Sequence, residues 1–313
     1  MTDMLLDEKS ESMEIAALRA GKRKGAEQLY LAASKSAGGS PALRAATSLY
    51  GAVRHGRNVL IASGFTILRA KRCETDGPLG SAILGKLLNK MSINVVFLTD
   101  RNYLMLFEKM GEASDLSSFQ CIPFPIEEKS AREEAVKIIN DLSPVAVISI
   151  ERPGWNKHKV YHNMRGEDIS NWTAKVDYMS DEAYRRDILT IGIGDGGNEI
   201  GMGNILQTVV EDVPYGSVCQ CPCRGGIASV TKAHDLVVSS VSNWGAYILT
   251  ALTASLADMP FEHDPHEEQR LIRTAVNAGA VDGVSGNLVE AVDGLSASDN
   301  SEFVNKILRI LAQ

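Results

Sequence analysis

A chain of 313 residues with a net charge of -7 is long enough to bury a large core without disulfide staples. Its acidic balance argues against a nucleic-acid partner, and 44% hydrophobic with 23% charged residues excludes wholesale disorder. Five cysteines, an odd number at low density, fit reduced thiols better than a disulfide framework.

The segment 1–12 carries Asp3, Asp7, Glu8 and Glu11 and lacks the basic start and apolar core of a leader. Residues 1–56 read as a helical N-terminal extension, with three- and four-residue apolar spacing around Met13–Leu18, Ala26–Leu31 and Ala42–Val53. From Asn58 the pattern changes to short apolar runs at 59–62, 94–98, 120–123, 145–150, 188–193 and 236–241. Helix-like segments at 80–91, 102–110, 130–140 and 171–179 lie between them. Such alternation predicts an α/β fold over 57–313, a doubly wound, mostly parallel, Rossmann-like sheet with helices on both faces. The apolar stretch 244–256 contains Thr250, Thr253 and Ser255 and is too short to span a membrane. A soluble, cytoplasmic protein with no membrane partner is expected, and a homodimer is the commonest assembly.

Ligands of open parallel sheets sit beyond the carboxyl ends of the strands, which is where this chain keeps its unusual residues. The runs lead into Glu74-Thr-Asp76-Gly-Pro-Leu-Gly80, Thr99-Asp100, Glu151-Arg152-Pro-Gly154, Gly192-Ile-Gly194-Asp195-Gly196-Gly197-Asn198-Glu199, and Ser242-Asn243-Trp-Gly245. Gly192, Gly194 and Gly197 satisfy GxGxxG formally, yet Asp195, Asn198 and Glu199 would repel a pyrophosphate, so no dinucleotide is expected. Carboxylate and amide oxygens on a tight turn suit a divalent cation or a substrate ammonium instead. Asp76 or Thr75 could equally cap a helix opening at Pro78, and Asp195 could cap the turn it sits in. Arg152 and Arg165 can each bind a carboxylate in two-pronged fashion, although either alone is more often a surface ion partner. Cys219, Cys221 and Cys223 could form a soft-metal site, yet they lack paired CxxC spacing and read rather as reduced thiols on a loop or edge strand; His263 and His266 read as an exposed Pro265 turn.

Taken in order, these motifs, with Asn163-Met-Arg165-Gly166, Asp168-Ile-Ser170 and Val281-Asp-Gly283, resemble the D-glutamate cyclase C-terminal domain family over roughly 58–294. In animals that domain ends a longer enzyme, and in bacteria it occurs as a separate protein. The resemblance implies a hydro-lyase making 5-oxo-D-proline and water from D-glutamate, a small acidic substrate. In that reading Asp195 and Glu199, with Asp76, hold Mg²⁺ or Mn²⁺, while Arg152 or Arg165 clamps a substrate carboxylate. Glu74 or Glu151 moves the proton, Asn198 and Asn243 orient the substrate, and Gly194, Gly196 and Gly197 shape its seat. Two rivals stand beside it. A binding subunit would need a companion hydro-lyase-like protein, and a haloacid-dehalogenase-like phosphatase would have to replace its nucleophilic Asp by Glu74.

Overall fold

The apolar runs become one parallel sheet because each is short, largely β-branched and followed by a helix that crosses back over it. The computed structural model describes residues 3–313, so Met1 and Thr2 of the acidic first segment lie outside the described residues. Helices α1 (Asp3–Ala20), α2 (Ala26–Ala37) and α3 (Pro41–Val53) come first. Strand β1 (Asn58–Ser63), a hairpin of β2 (Thr66–Ile67) and β3 (Arg72–Cys73), and helix α4 (Pro78–Lys90) follow. Next come β4 (Asn94–Thr99), α5 (Leu104–Ala113), β5 (Phe119–Pro123), α6 (Glu128–Leu142) and β6 (Ala146–Ile150). The remainder holds α7 (Asp177–Arg185), β7 (Leu189–Gly194), α8 (Leu206–Asp212), β8 (Asp235–Val238), α9 (Ser242–Leu256) and α10 (Pro265–Asn277). A second hairpin, β9 (Ala291–Val292) with β10 (Leu295–Ser296), precedes α11 (Ala297–Leu311).

The six-stranded sheet has the order β5-β4-β1-β6-β7-β8, and every pairing in it is parallel. The chain therefore starts in the middle, winds outward through β4 and β5, then returns to β6 on the other side of β1. That reversal opens a crevice between the ends of β1 and β6, the place where such sheets bind ligands. One sheet face packs on α3, α4 and α9 through residues such as Leu49, Leu84 and Ile248; the other packs on α6 and α7 through Ile139 and Met179. Met13 and Ala17 of α1 belong to the same core as Ile61 and Ile148 of the sheet, so the N-terminal helices are built onto it. No helix among the described residues is long and apolar enough to cross a membrane.

Three local expectations need correction. The helix expected over 171–179 starts only at Asp177; before it a single 3₁₀ turn, Ser170–Trp172, ends in extended Thr173, because the Ala174 N–H is drawn off to the Asp100 carboxylate at 2.5 Å. The last sheet strand stops at Val238 rather than 241, since α9 begins at Ser242. His263 is buried, not exposed, donating or accepting between Glu267 at 3.1 Å and Glu268 at 2.9 Å. Pro265 is the first residue of α10, which Asp264 caps, rather than the centre of a surface turn.

Candidate active site

Helices α4 and α9 begin side by side at the crevice, and each is capped from the other's approach. Asn243 Oδ1 accepts the N–H groups of Gly77 and Gly80, both at 2.8 Å, and its Nδ2 donates to Thr75 O at 3.1 Å. Asp76 answers by accepting from Ser242 N at 2.8 Å and Asn243 N at 2.7 Å. These are the orphan donors of two helix starts, so a carboxylate and an amide oxygen fit there. Gly77 is obligatory in this joint: its φ is 98°, and a Cβ would lie 2.5 Å from Ser63 Oγ. Asn243, expected to orient substrate, is thus fully engaged in holding the two helices.

Around this joint the chain gathers carboxyl groups. Asp76, Asp195 and Asp293 present oxygens within 4.8 Å of one another, and so do Glu151, Asp195 and Glu199. Asp195 is shared by both groups and is fully buried. Glu74 lies beside them, with burial, Asp293 and Asp76 pushing its carboxyl well above the ordinary range. Glu151 and Asp195 are also raised chiefly by burial, Glu151 next by Asp195 and Glu199. Asp76 is pushed up to about 8 by burial and Asp293, against the pull of the N–H groups it accepts. Glu151 additionally holds a left-handed backbone, φ 44°, and accepts from the Ser242 hydroxyl. Strained, like-charged acids in a crevice are a recurrent mark of function.

One cation answers this charge, and it comes from the loop between α1 and α2. Arg23 Nε donates to Asp195 Oδ2 at 2.9 Å and its Nη2 to Oδ1 at 2.5 Å, with Asp293 3.4 Å away. Neither Arg23 nor Asp293 was singled out by the sequence pattern, because neither sits in a motif or at the end of a sheet strand.

The glycine-rich turn after β7 folds around its own acid. Glu199 accepts from Asp195 N at 3.2 Å and from Gly196 N and Gly197 N, both at 2.7 Å. The amides that a pyrophosphate would require are thereby occupied from within the loop. Gly194 ends β7, and a side chain there would strike Glu199 and Met202. Asn198 lines a cavity; its Nδ2 donates to His162 O at 2.8 Å, and its buried Oδ1 has no partner.

That cavity has a volume of about 410 Å³ and is walled by Arg23, Glu74, Glu151, Asn198 and Asp293 on one side and by Phe65, Ile67 and Met164 on another. Arg165 lines its mouth, as does Arg69, which the sequence reading passed over. Arg152 does not line it. Its guanidinium is fully buried, ion-paired with Asp100, and donates to Gly64 O at 2.9 Å and Ala174 O at 2.7 Å. It braces the loops after β1, β4 and β6.

The three clustered cysteines are free thiols in a loop, and they form a second cluster with a histidine. Cys219, Cys221 and Cys223 meet His162, and one donor atom from each lies within 4.8 Å of the others. Both this cluster and the acidic groups are able to hold a metal ion.

A family profile described as "D-glutamate cyclase-like, C-terminal" matches residues 14–308. The human protein D-glutamate cyclase, mitochondrial, is 28% identical over 206 residues, a match that covers 62% of this chain and 32% of the human protein. The chain spans about a third of that relative's length. With nearly all of its length matched, the chain belongs to the D-glutamate cyclase-like C-terminal family.

Proposed function

We propose that this chain is a hydro-lyase converting D-glutamate to 5-oxo-D-proline and water. The observation that carries the reading is the set of buried carboxyl groups, Glu74 and Glu151 among them, lining a cavity that Arg165 and Arg69 also line. In the reaction the α-nitrogen bonds to the side-chain carboxyl carbon, and one C–O bond breaks. The ammonium gives up two protons and the departing oxygen takes both, so the net change is loss of water alone. Catalysis therefore needs a base at nitrogen and an acid at oxygen, not a net proton source. Glu74 and Glu151, both raised by burial among other acids, are the groups suited to that exchange. Asn198 lines the cavity with a buried Oδ1 that lacks a partner, and Arg165 with Arg69 are the cations for the substrate carboxylates.

The all-oxygen donors fit Mg²⁺ or Mn²⁺ by chemistry. Asp195, common to both groups, would hold the ion either with Asp76 and Asp293 or with Glu151 and Glu199. When bound, such an ion polarises a carboxyl and offsets its charge. Arg23, which now holds Asp195, would have to yield or share it.

A second reading, a binding subunit that works only with a companion protein, is favoured by that same Arg23–Asp195 pairing. Proton NMR of the chain with D-glutamate, with and without Mg²⁺ or Mn²⁺ and with L-glutamate as control, separates the two. The cyclase reading expects 5-oxoproline from the D-isomer. Shifts of the glutamate signals without product would transfer the chain to the binding class.

A further inference from the structure

We propose that His162, Cys219, Cys221 and Cys223 form a structural zinc site that ties the wall of the cavity to a distant loop. The four donor atoms converge as a compact tetrad. Cys219 Sγ lies 3.5 Å from Cys221 Sγ and 3.4 Å from Cys223 Sγ, while His162 Nε2 lies 3.2 Å from Cys221 Sγ and 3.6 Å from Cys223 Sγ. Ligands about 2.1–2.3 Å from a tetrahedral zinc stand roughly 3.4–3.8 Å apart, and three of these four edges fall in that range with the fourth 0.2 Å short of it. One nitrogen and three sulfurs make up a familiar structural zinc donor set and are too soft for Mg²⁺ or Ca²⁺.

The local backbone explains why single-residue spacing suffices. A turn closed by Arg224 N on Cys221 O brings Cys223 back beside Cys219, where an extended strand would separate them. Outer contacts also suit thiolates. Cys223 Sγ receives the Gly225 N–H at 3.4 Å and the Asn156 amide at 3.5 Å, the type of second contact that orients metal ligands. His162, Cys219 and Cys221 are buried and Cys223 is half-buried, so the donors enclose the centre, as structural sites do and catalytic ones do not. Without a metal, three thiols and an imidazole would have only weak S–H contacts with one another in a buried place.

The site is separate from the acidic cluster and stands whether or not D-glutamate is the substrate. It does have a structural consequence for the cavity. Asn163, Met164 and Arg165 follow His162 directly and line the cavity, and Gly166 O accepts Gln220 N at 2.9 Å from the cysteine loop. Zinc would fasten both loops at one point.

The test is metal content of the purified chain after exhaustive dialysis, followed by replacement with Co²⁺. About one equivalent of zinc per chain is expected. The cobalt form should show thiolate-to-Co²⁺ charge transfer in the near ultraviolet and intense tetrahedral bands in the red. Cys221→Ser and His162→Ala should each lower zinc affinity at least about tenfold, whereas Cys121→Ser and Asp195→Asn should leave it unchanged. A zinc-free protein whose Co²⁺ titration gives no thiolate band would overturn the proposal without any variant having to fold. So would a Cys–Cys disulfide within the trio by mass spectrometry, or zinc that is lost in Asp195→Asn but kept in Cys221→Ser.

Discussion

Arg23 and Asp195 form the pair on which the charge balance of the site turns. Asp195 has no exposed side-chain surface, and Arg23 is 24% exposed, so the pair is only partly screened by water. Removing one partner of a fully buried pair costs about 3–5 kcal/mol. With Arg23 partly solvated, Arg23→Gln should cost about 2 kcal/mol. Urea denaturation measures it, and Mg²⁺ should restore much of the loss if the ion takes the place of the guanidinium. An unchanged midpoint would show that the pair contributes nothing. Proton linkage gives a second test at this scale. Asp76, raised from 3.8 to about 8, and Glu14, raised from 4.5 to about 7, keep protons in the folded protein that the unfolded chain has released. Their contribution is complete at low pH and is lost as pH rises from about 4 to about 8. Thermal melts across that range should show falling stability from these groups, and Asp76→Asn should flatten the slope.

The crossed caps of α4 and α9 are the main device at the scale of elements. Asn243→Ala would leave the buried Gly80 N–H without an acceptor and Gly77 N–H with Asp76 Oδ1 alone, at a cost of about 2 kcal/mol. A shift in the urea midpoint with unchanged slope checks it; a neutral substitution would mean that water replaces the amide. This joint was half legible in the sequence. Pro78 marks the start of α4, as its fixed φ and missing N–H suggest, but its capping group comes from a residue far along the chain. Long strands and helices betray themselves by period, whereas β2, β3, β9 and β10 are two residues each and offer no period to read. His263 was misread for a related reason: a proline marks a turn or a helix start equally well, and only Asp264 beside it favours the latter.

For the whole molecule, the parallel order and its reversal between β1 and β6 explain why residues from distant stretches face one crevice. The acids at the ends of β6 and β7 were legible because strand-end position is a sequence property. Arg23 and Asp293 were not, since the ion pair from Arg23 to Asp195 joins residues 172 positions apart and no local pattern announces such a contact. The same holds for His162 and Cys221, separated by 59 positions. The family match reaches back to residue 14 and so includes the loop that carries Arg23, whereas the motif resemblance began only near residue 58. The proposed role of this gathered set of acids is to move the protons of lactam formation. Its most direct test is the rate of 5-oxo-D-proline formation by Glu74→Gln beside the parent chain, followed by NMR on protein shown by melting to be folded. The account predicts a fall of about 10²–10⁴-fold, the usual contribution of a positioned proton-transfer group. A folded Glu74→Gln chain that turns over D-glutamate at the parent rate would contradict it.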